Sequence, residues 1–153
     1  MLLHFRKALK ADVSQIVHLL ADDPLGKVRE DDREPLPEAY YAAFDSIDAD
    51  PNQELIVVED GDGNVVGTLQ LSYLRYLTYR GGLRAQIEAV RIRSEDRGKG
   101  YGSAFFAWAI GRAKEKGAHM LQLTTDKQRP EAFQFYERLG FVASHEGMKL
   151  HLF

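Results

Sequence analysis

Three glycines spaced two residues apart, Gly98, Gly100 and Gly102, follow a run of strand-forming residues and precede a run with helical periodicity. A glycine-rich turn between a strand and a helix presents successive backbone N–H groups at the positive end of the helix dipole. An anion can approach such a turn without meeting a Cβ atom. Arg97 and Lys99 add positive charge. The segment therefore predicts phosphate binding at the start of a helix, with a purely structural glycine turn as the alternative.

The spacing of this loop differs from that of two common nucleotide-binding loops. The dinucleotide fingerprint G-x-G-x-x-G starting at Gly98 requires glycine at position 103, where the chain has Ser103. The P-loop pattern G-x-x-x-x-G-K-[ST] is absent from the sequence. The flanking elements must therefore indicate which anion the loop binds.

The first half of the chain alternates strand and helix patterns. Leu3–Leu9 predicts a short strand, and Asp12 is a candidate cap for a helix whose apolar residues are spaced i, i+3, i+4 and i+7. Pro37 suits the first turn of a second helix that ends near Pro51. Strands are predicted at Leu55–Glu59, Val65–Leu77 and Ala85–Ile92, with a glycine-containing hairpin turn between the first two. Four strands by residue 93 predict a largely antiparallel sheet.

The second half predicts a crossover. A helix is expected over Gly102–Lys116, an apolar strand over Met120–Thr124 and a second helix over Glu131–Leu139. Short strands are expected at Phe141–Ala143 and Met148–Leu152. This order predicts an α/β fold in which helices flank a mixed, mostly antiparallel sheet, with residues 1–153 forming a single domain.

Composition excludes several classes of function. The chain has 153 residues, no cysteine and five histidines, and its 20 Lys and Arg residues against 23 Asp and Glu residues give a net charge of −3. Disulfides are impossible, and scattered histidines do not predict a metal site. A mildly acidic chain does not suggest direct nucleic-acid binding. Without a long apolar run or a signal-like N-terminus, we expect a cytoplasmic protein that does not bind membranes.

The order of the elements around the loop resembles the GNAT superfamily of acyl-CoA-dependent N-acyltransferases. That family's motif, [Arg/Gln]-x-x-Gly-x-[Gly/Ala], matches Arg97, Gly100 and Gly102, and the later sequence Phe-Tyr-Glu-Arg-Leu-Gly-Phe covers Phe135–Phe141. The resemblance is specific from about Ala85 to Phe141. It implies a twisted sheet with two splayed central strands and acetyl-CoA as the co-substrate, without a metal.

The resemblance also implies which residues bind the cofactor. Backbone amides of the glycine loop hold the CoA pyrophosphate, and the preceding strand binds the pantetheine arm through its main chain. Lys99 and Arg129 could approach the 3′-phosphate. Ser94 stands where the family often has proline, and Asp126 stands where it often has asparagine. The full set of implied cofactor-binding residues is Val90, Arg91, Ile92, Arg97, Gly98, Lys99, Gly100, Tyr101, Gly102, Ser103, Asp126 and Arg129.

Acyl transfer to an amine requires a neutral nucleophile, stabilisation of an oxyanion and a proton for the departing thiolate. Glu88 occupies a position that resembles the family's general base, acting directly or through a water. Strand alternation predicts that it shares a face with Val90 and Ile92. The alternative is a solvent-facing carboxylate at a strand edge.

Tyr136 lies where the family places a tyrosine whose hydroxyl points at the CoA sulfur. We expect it to act as the general acid. The alternative is an aromatic side chain that packs with Phe133 and Leu139 on one helix face. Phe133 is interpreted as a core residue, together with Phe105, Phe106 and Trp108.

The predicted function is transfer of an acetyl group from acetyl-CoA to a primary amine of a small molecule or protein. The acidic run Glu30–Glu34 could attract a cationic amine, or it could be a solvated loop. The alternative function is a non-catalytic acyl-CoA-binding or regulatory module, because a fold alone does not establish turnover. A homodimer is possible by family resemblance.

Overall fold

Five strands form one sheet in the computed structural model, which describes residues 2–153. Their order across the sheet is their order along the chain, and β1 to β4 are successively antiparallel, whereas β5 is parallel to β4. The strands are β1 (His4–Lys7), β2 (Gln53–Glu59), β3 (Val65–Arg75), β4 (Leu83–Ile92) and β5 (Met120–Gln122). The predicted α/β class with a mixed, mostly antiparallel sheet is confirmed.

Helices cover both faces of this sheet. The first three, α1 (Val13–Ala21), α2 (Pro24–Arg29) and α3 (Glu38–Ala49), precede β2. A single turn, α4 (Thr78–Gly81), joins β3 to β4. The last two helices are α5 (Tyr101–Glu115) and α6 (Pro130–Arg138).

The alternation of apolar residues in β2 assigns the two faces. Ile56 and Val58 pack in the cluster that contains α5, whereas Val57 packs in the cluster that contains α1 and α3. Gly67 in β3 allows α5 to approach closely, since an added Cβ would lie 2.5 Å from the Phe105 ring. Both faces of the sheet are therefore buried, and α5 is held against β3 and β4.

Near the N-terminus one prediction is wrong and one helix is not predicted by the sequence. Asp12 does not cap α1 through its side chain, because its carboxylate accepts hydrogen bonds from the Leu9 amide at 2.7 Å and from the Arg6 guanidinium. Helix α2 was not predicted, although Asp23 followed by Pro24 is a regular helix start. The Asp23 carboxylate accepts from the amides of Leu25 at 2.9 Å and of Gly26 at 2.7 Å.

The two short C-terminal strands are also not found. Residues 141–153 contain no strand within the part of the chain that the structure describes. Met148, Leu150 and Leu152 are exposed rather than buried on a sheet face. Alternating apolar and polar residues indicate a tendency to form a strand. A strand also needs a neighbouring strand to pair with, and residues 2–153 of one chain do not provide one.

Candidate active site

The parallel strands β4 and β5 separate soon after they meet. They pair only where Arg84–Gln86 lies beside Met120–Gln122. Beyond these pairs a cavity of about 400 Å³ lies between the diverging chains. Its lining includes Ile87, Glu88, Ala89, Val90 and Arg91 on one side and Leu123, Thr124, Asp126, Arg129 and Tyr136 on the other. The splayed strands expected from the resemblance are confirmed.

A β-bulge distorts β4 at the wall of this cavity. Thr68 of β3 pairs with Arg91 and Gln70 pairs with Glu88, so Leu69 faces two residues of β4. Ala89 has a φ of 55° at this point, in the left-handed region. The extra residue interrupts the alternation of β4 side chains between the two faces of the sheet. Strand periodicity alone could not predict this interruption.

The bulge changes the face on which Glu88 lies. Val90 and Ile92 pack with the α5 core cluster, as Ile87 does, whereas Glu88 is exposed. The prediction that Glu88 shares a face with Val90 and Ile92 is therefore wrong. Both residues line the cavity, but because of the bulge Val90 also packs against the cluster that contains α5, whereas Glu88 does not.

Polar side chains connect Glu88 to the point where the strands diverge. The Glu88 carboxylate accepts a hydrogen bond from the Gln86 amide nitrogen at 2.7 Å. The Gln86 amide oxygen in turn accepts from Gln122 of β5 at 2.9 Å. This relay fixes the carboxylate at the opening between the two strands, where a proton acceptor can reach a bound acceptor molecule.

Tyr136 lines the same cavity from α6. Its ring packs against Phe106, Phe135 and Phe141 at centroid distances of 5.5, 5.7 and 6.1 Å. Burial raises the pKa of the Tyr136 hydroxyl, and the nearby charges of Arg129 and Arg91 only partly oppose this effect. The raised pKa keeps the hydroxyl protonated at neutral pH, and no hydrogen bond within residues 2–153 occupies its proton.

The aromatic neighbours of Tyr136 differ from those predicted. Phe133 is 39% exposed, so its assignment to the core is wrong. Phe105 and Phe106 are buried, and Trp108 stacks on Phe5 at 4.9 Å, so these three residues do pack in the core. Phe133 and Tyr136 lie three residues apart and therefore on the same side of α6. The sequence alone could not show which of these two side chains is more buried.

The glycine loop has the geometry of a helix N-terminus. Gly98 and Gly100 have φ values of 80° and 81°, which favour glycine, and α5 begins at Tyr101. Ser103 is exposed in the first turn. The first amides of an α-helix have no intrahelical partner, so this turn presents free donors to an anion.

The other residues of the loop have structural contacts. Arg97 donates to the carbonyl oxygens of Ile92 at 3.2 Å and Asp22 at 3.0 Å, and Lys99 pairs with Asp96 at 2.9 Å. An added Cβ on Gly102 would lie 3.3 Å from the Phe135 ring, so this glycine lies in close contact with α6. Backbone amides, more than these side chains, provide the anion-binding character of the loop.

Asp23 connects three elements beside the cavity, and no sequence motif indicates this role. Its carboxylate lies 3.0 Å from Arg91 Nε on β4 and 3.1 Å from Arg129 at the start of α6. The contact with Arg91 has no hydrogen-bond geometry, which leaves Asp23 Oδ2 and Arg91 Nε buried without a hydrogen-bond partner. Burial raises the pKa of Asp23, but the Gly26 amide and the two arginines outweigh it and bring the pKa below its ordinary value.

We expect Asp23→Asn to lower the free energy of unfolding by about 1.5–3 kcal/mol at neutral pH, because the carboxylate that accepts a hydrogen bond from Arg129 and forms an ion pair with Arg91 is lost. Asparagine still caps α2, so the change isolates the charge. The pKa of Asp23 is lower in the folded protein than in the unfolded chain. This stabilisation is therefore fully present at a pH above the unfolded pKa, and it is lost as the pH falls through the folded pKa. Urea unfolding across acidic pH measures the difference.

The control for this prediction is the neighbouring exposed carboxylate, Asp22→Asn. The side chain of Asp22 is 55% exposed and lies 3.7 Å from Arg97, so its replacement should change stability by less than about 1 kcal/mol. An equal loss in the two variants would show that the Asp23 contacts contribute no specific stability.

Three further features of residues 2–153 complete the description. A second cavity of about 570 Å³ lies between α1, α2 and the sheet, lined by His18, Lys27 and Arg93 among others. Within residues 2–153 no group of three or more His, Asp or Glu side chains is arranged to hold a metal ion. No helix in the same range is long and apolar enough to cross a membrane.

Comparison with known families identifies the fold. The model of the acetyltransferase (GNAT) family matches residues 15–141, which is most of the 153-residue chain. The chain belongs to the GNAT family. The matched range contains Glu88, the glycine loop and Tyr136.

Two relatives of this GNAT protein have named activities. Aminoalkylphosphonate N-acetyltransferase of Salmonella typhimurium is 31% identical over 84 residues, covering 55% of this chain and 54% of the relative. Streptothricin acetyltransferase of Streptomyces lavendulae is 32% identical over 126 residues, covering 80% of this chain and 59% of the relative. The chain thus spans less than two thirds of either relative's length.

A solved structure with higher identity has a different description. The crystal structure of a transcriptional regulator from Bacillus halodurans C-125 is 54% identical to this chain, with a TM-score of 0.94. The match covers 99% of this GNAT protein and 100% of the other. The relatives therefore include both acetyltransferases and a protein described as a regulator.

Proposed function

We propose that this GNAT protein transfers the acetyl group of acetyl-CoA to a primary amine. The observation that carries the proposal is one cavity between diverging strands that is lined by both Glu88 and Tyr136. A proton acceptor and a protonated hydroxyl in one cleft are the two groups that aminolysis of a thioester requires.

The reaction proceeds by direct attack. The amine nitrogen adds to the thioester carbonyl carbon while Glu88 accepts its proton, directly or through a water. Backbone N–H groups near the bulge at Ala89 and Val90 face the oxygen that becomes negative. The C–S bond then breaks, and Tyr136 gives its proton to the leaving thiolate. The products are an N-acetylated amine and CoA, and the tyrosine is reprotonated from solvent.

The cofactor lies across the opening between the strands. Amides from Gly98 to Ser103 bind the pyrophosphate, and the main chain of Val90–Ile92 binds the pantetheine arm. The free amides of the first helical turn and the end of the β4–β5 ladder at Gln86 support this placement. Asp126 and Arg129 line the cavity and are assigned to cofactor binding, whereas Arg97 and Lys99 stabilise the loop.

The acceptor is a small molecule or a protein that presents an amine. The two acetyltransferase relatives are named for an aminoalkylphosphonate and for streptothricin. In this chain the acidic run Glu30–Glu34 is partly neutralised, because Glu30 pairs with Arg29 and both Asp32 and Glu34 pair with His18. Glu30 and Asp126 also line the cavity, but Glu30 pairs with Arg29, and Glu88 is the carboxylate that we assign to the amine.

An acceptor screen tests the activity. The chain contains no cysteine, so a thiol reagent reports only the CoA that is released. Aminoalkylphosphonates, amino sugars, polyamines and lysine peptides are incubated with acetyl-CoA and the protein. We expect thiol release that requires both acetyl-CoA and an amine. Release that does not respond to any amine, alongside normal acetyl-CoA binding, would contradict the proposal.

We expect Gly98→Ala to weaken acetyl-CoA binding at least tenfold, about 1.4 kcal/mol, because the new Cβ lies where the pyrophosphate approaches. The matched control is Gly117→Ala, since both glycines have almost the same φ, 80° and 82°, and both have open space around an added Cβ. Both variants should therefore lose similar stability. Titration calorimetry distinguishes them, and equal affinities would show that the loop is only structural.

A regulatory acyl-CoA-binding module is the second candidate, and the 54% identical protein described as a transcriptional regulator favours it. Such a module would bind acetyl-CoA with the same affinity but release no thiol with any amine. The screen and the calorimetry together separate the two functions. For both candidates we propose one domain over residues 1–153, a cytoplasmic location and no direct nucleic-acid binding.

A further inference from the structure

One primary amine of the chain itself lines the cavity between β4 and β5. Lys149, in the C-terminal tail of residues 142–153, belongs to the same lining as Glu88 and Tyr136. Within residues 2–153 it is the one lysine of that lining. The cavity therefore holds a proton acceptor, a protonated hydroxyl and an amine, which is the nucleophile that these two groups would serve.

The path of the tail brings Lys149 to this cavity. At Gly147 an added Cβ would lie 3.8 Å from Thr124 Cγ2, and Thr124 lines the cavity on the β5 side. Lys149 follows two residues later and is exposed. The tail pairs with no strand of residues 2–153, so no sheet face buries this side chain. The backbone is thus already at the cavity wall where the lysine begins.

The charges around the cavity leave Lys149 open to Glu88. Three other lysines form ion pairs with aspartates, whereas Lys149 forms none within residues 2–153. Among the carboxylates of the cavity, Glu30 pairs with Arg29, and Asp126 accepts a hydrogen bond from a backbone amide. Glu88 accepts a hydrogen bond at Oε1 from a glutamine, and its Oε2 accepts none within residues 2–153. This second oxygen can take a proton from an amine.

We infer that Lys149 accepts the acetyl group, so that the protein acetylates its own C-terminal tail. The inference rests on the proposed acetyl transfer. The bond between Lys149 Nζ and the thioester carbonyl carbon forms, and the C–S bond breaks. The lysine ammonium loses two protons, of which one ends on the CoA sulfur and the other passes to solvent through Glu88. The products are CoA and an uncharged acetyl-lysine.

Incubation of the full-length protein with saturating acetyl-CoA and no added amine, followed by trypsin and mass spectrometry, tests the inference. Trypsin cleaves after Arg138 and Lys149, and acetylation of Lys149 removes the second cleavage, which leaves one peptide over residues 139–153. We expect Lys149 to be acetylated at least about tenfold faster than Lys127, an exposed lysine outside the cavity, because Lys149 shares the cavity with the thioester. The rate constant should not depend on protein concentration. Equal rates at the two lysines, or a rate constant that rises with protein concentration, would overturn the inference.

Two matched variants separate this inference from the proposed function. Lys149→Arg keeps the positive charge and removes the nucleophile, and Lys127→Arg is the control on an equally exposed lysine. Without an added amine, the wild type and the Lys127 variant should release one CoA per chain, and the Lys149 variant should release none. Release beyond this first equivalent requires an added amine.

The results with an added amine distinguish the two possible failures. Turnover of an added amine by a protein whose Lys149 stays unmodified would overturn this inference and leave the proposed function intact. No release with any amine, together with an unmodified Lys149, would contradict both.

Discussion

Replacing Glu88 by glutamine should lower kcat/KM at least about 100-fold, the usual contribution of a general base. Glutamine has the same shape and can still bind Gln86, so acetyl-CoA affinity and melting temperature should be unchanged. The loss should be largest at low pH, where most of the acceptor amine is protonated and its deprotonation depends most on the base. The pH profile of initial rates with a fixed acceptor measures this effect.

The control is Glu137→Gln, which neutralises another exposed carboxylate outside the cavity, on α6 next to Tyr136. It should leave kcat/KM and the pH profile unchanged. A wild-type rate and profile in the Glu88 variant would exclude Glu88 from the mechanism, and the bulge would then serve only to open the strands.

Tyr136→Phe should lower kcat at least about tenfold, which corresponds to about 1.4 kcal/mol of transition-state stabilisation. Phenylalanine keeps the ring contacts with Phe106, Phe135 and Phe141. The hydroxyl makes no hydrogen bond within residues 2–153, so the melting temperature should remain within small changes. Pre-steady-state thiol release separates the chemical step from product release.

Tyr73→Phe is the control, and we expect it to lower stability without changing kcat. The Tyr73 hydroxyl donates to Glu54 at 2.5 Å, and Glu54 also pairs with Arg112. Removal of this hydroxyl should cost stability, about 1.5–3 kcal/mol for a hydrogen bond to a charged group, and leave kcat unchanged. If Tyr136→Phe instead lost stability and kept its kcat, Tyr136 would be a packing residue and solvent would protonate the thiolate.

Local chemistry accounts for the parts of the site that the sequence could predict. The glycine loop directly follows the strand before it, and Tyr136 lies within its own short motif at 135–141, so each carries its own signal in residue type and spacing. The positive φ of Gly98 and Gly100 is the kind of backbone that a glycine-rich turn indicates. These features required no knowledge of distant contacts.

Tertiary contacts account for what the sequence could not predict. The bulge at Ala89 depends on how β3 and β4 pair, and one extra residue reversed the face assigned to Val90. The contacts of Asp23 with Arg91 and Arg129 join residues far apart in the chain, where charge alone does not identify partners. The prediction of two C-terminal strands is wrong for the same reason, because a strand forms only beside a neighbouring strand.

A crystal structure of the protein with CoA tests the central claim most directly. The account predicts the pantetheine arm between β4 and Leu123–Asp126, the pyrophosphate at the start of α5 and the sulfur beside the Tyr136 hydroxyl. CoA bound instead in the cavity lined by His18, Lys27 and Arg93 would contradict it. In that case the opening between β4 and β5 would not be the acyl-transfer site.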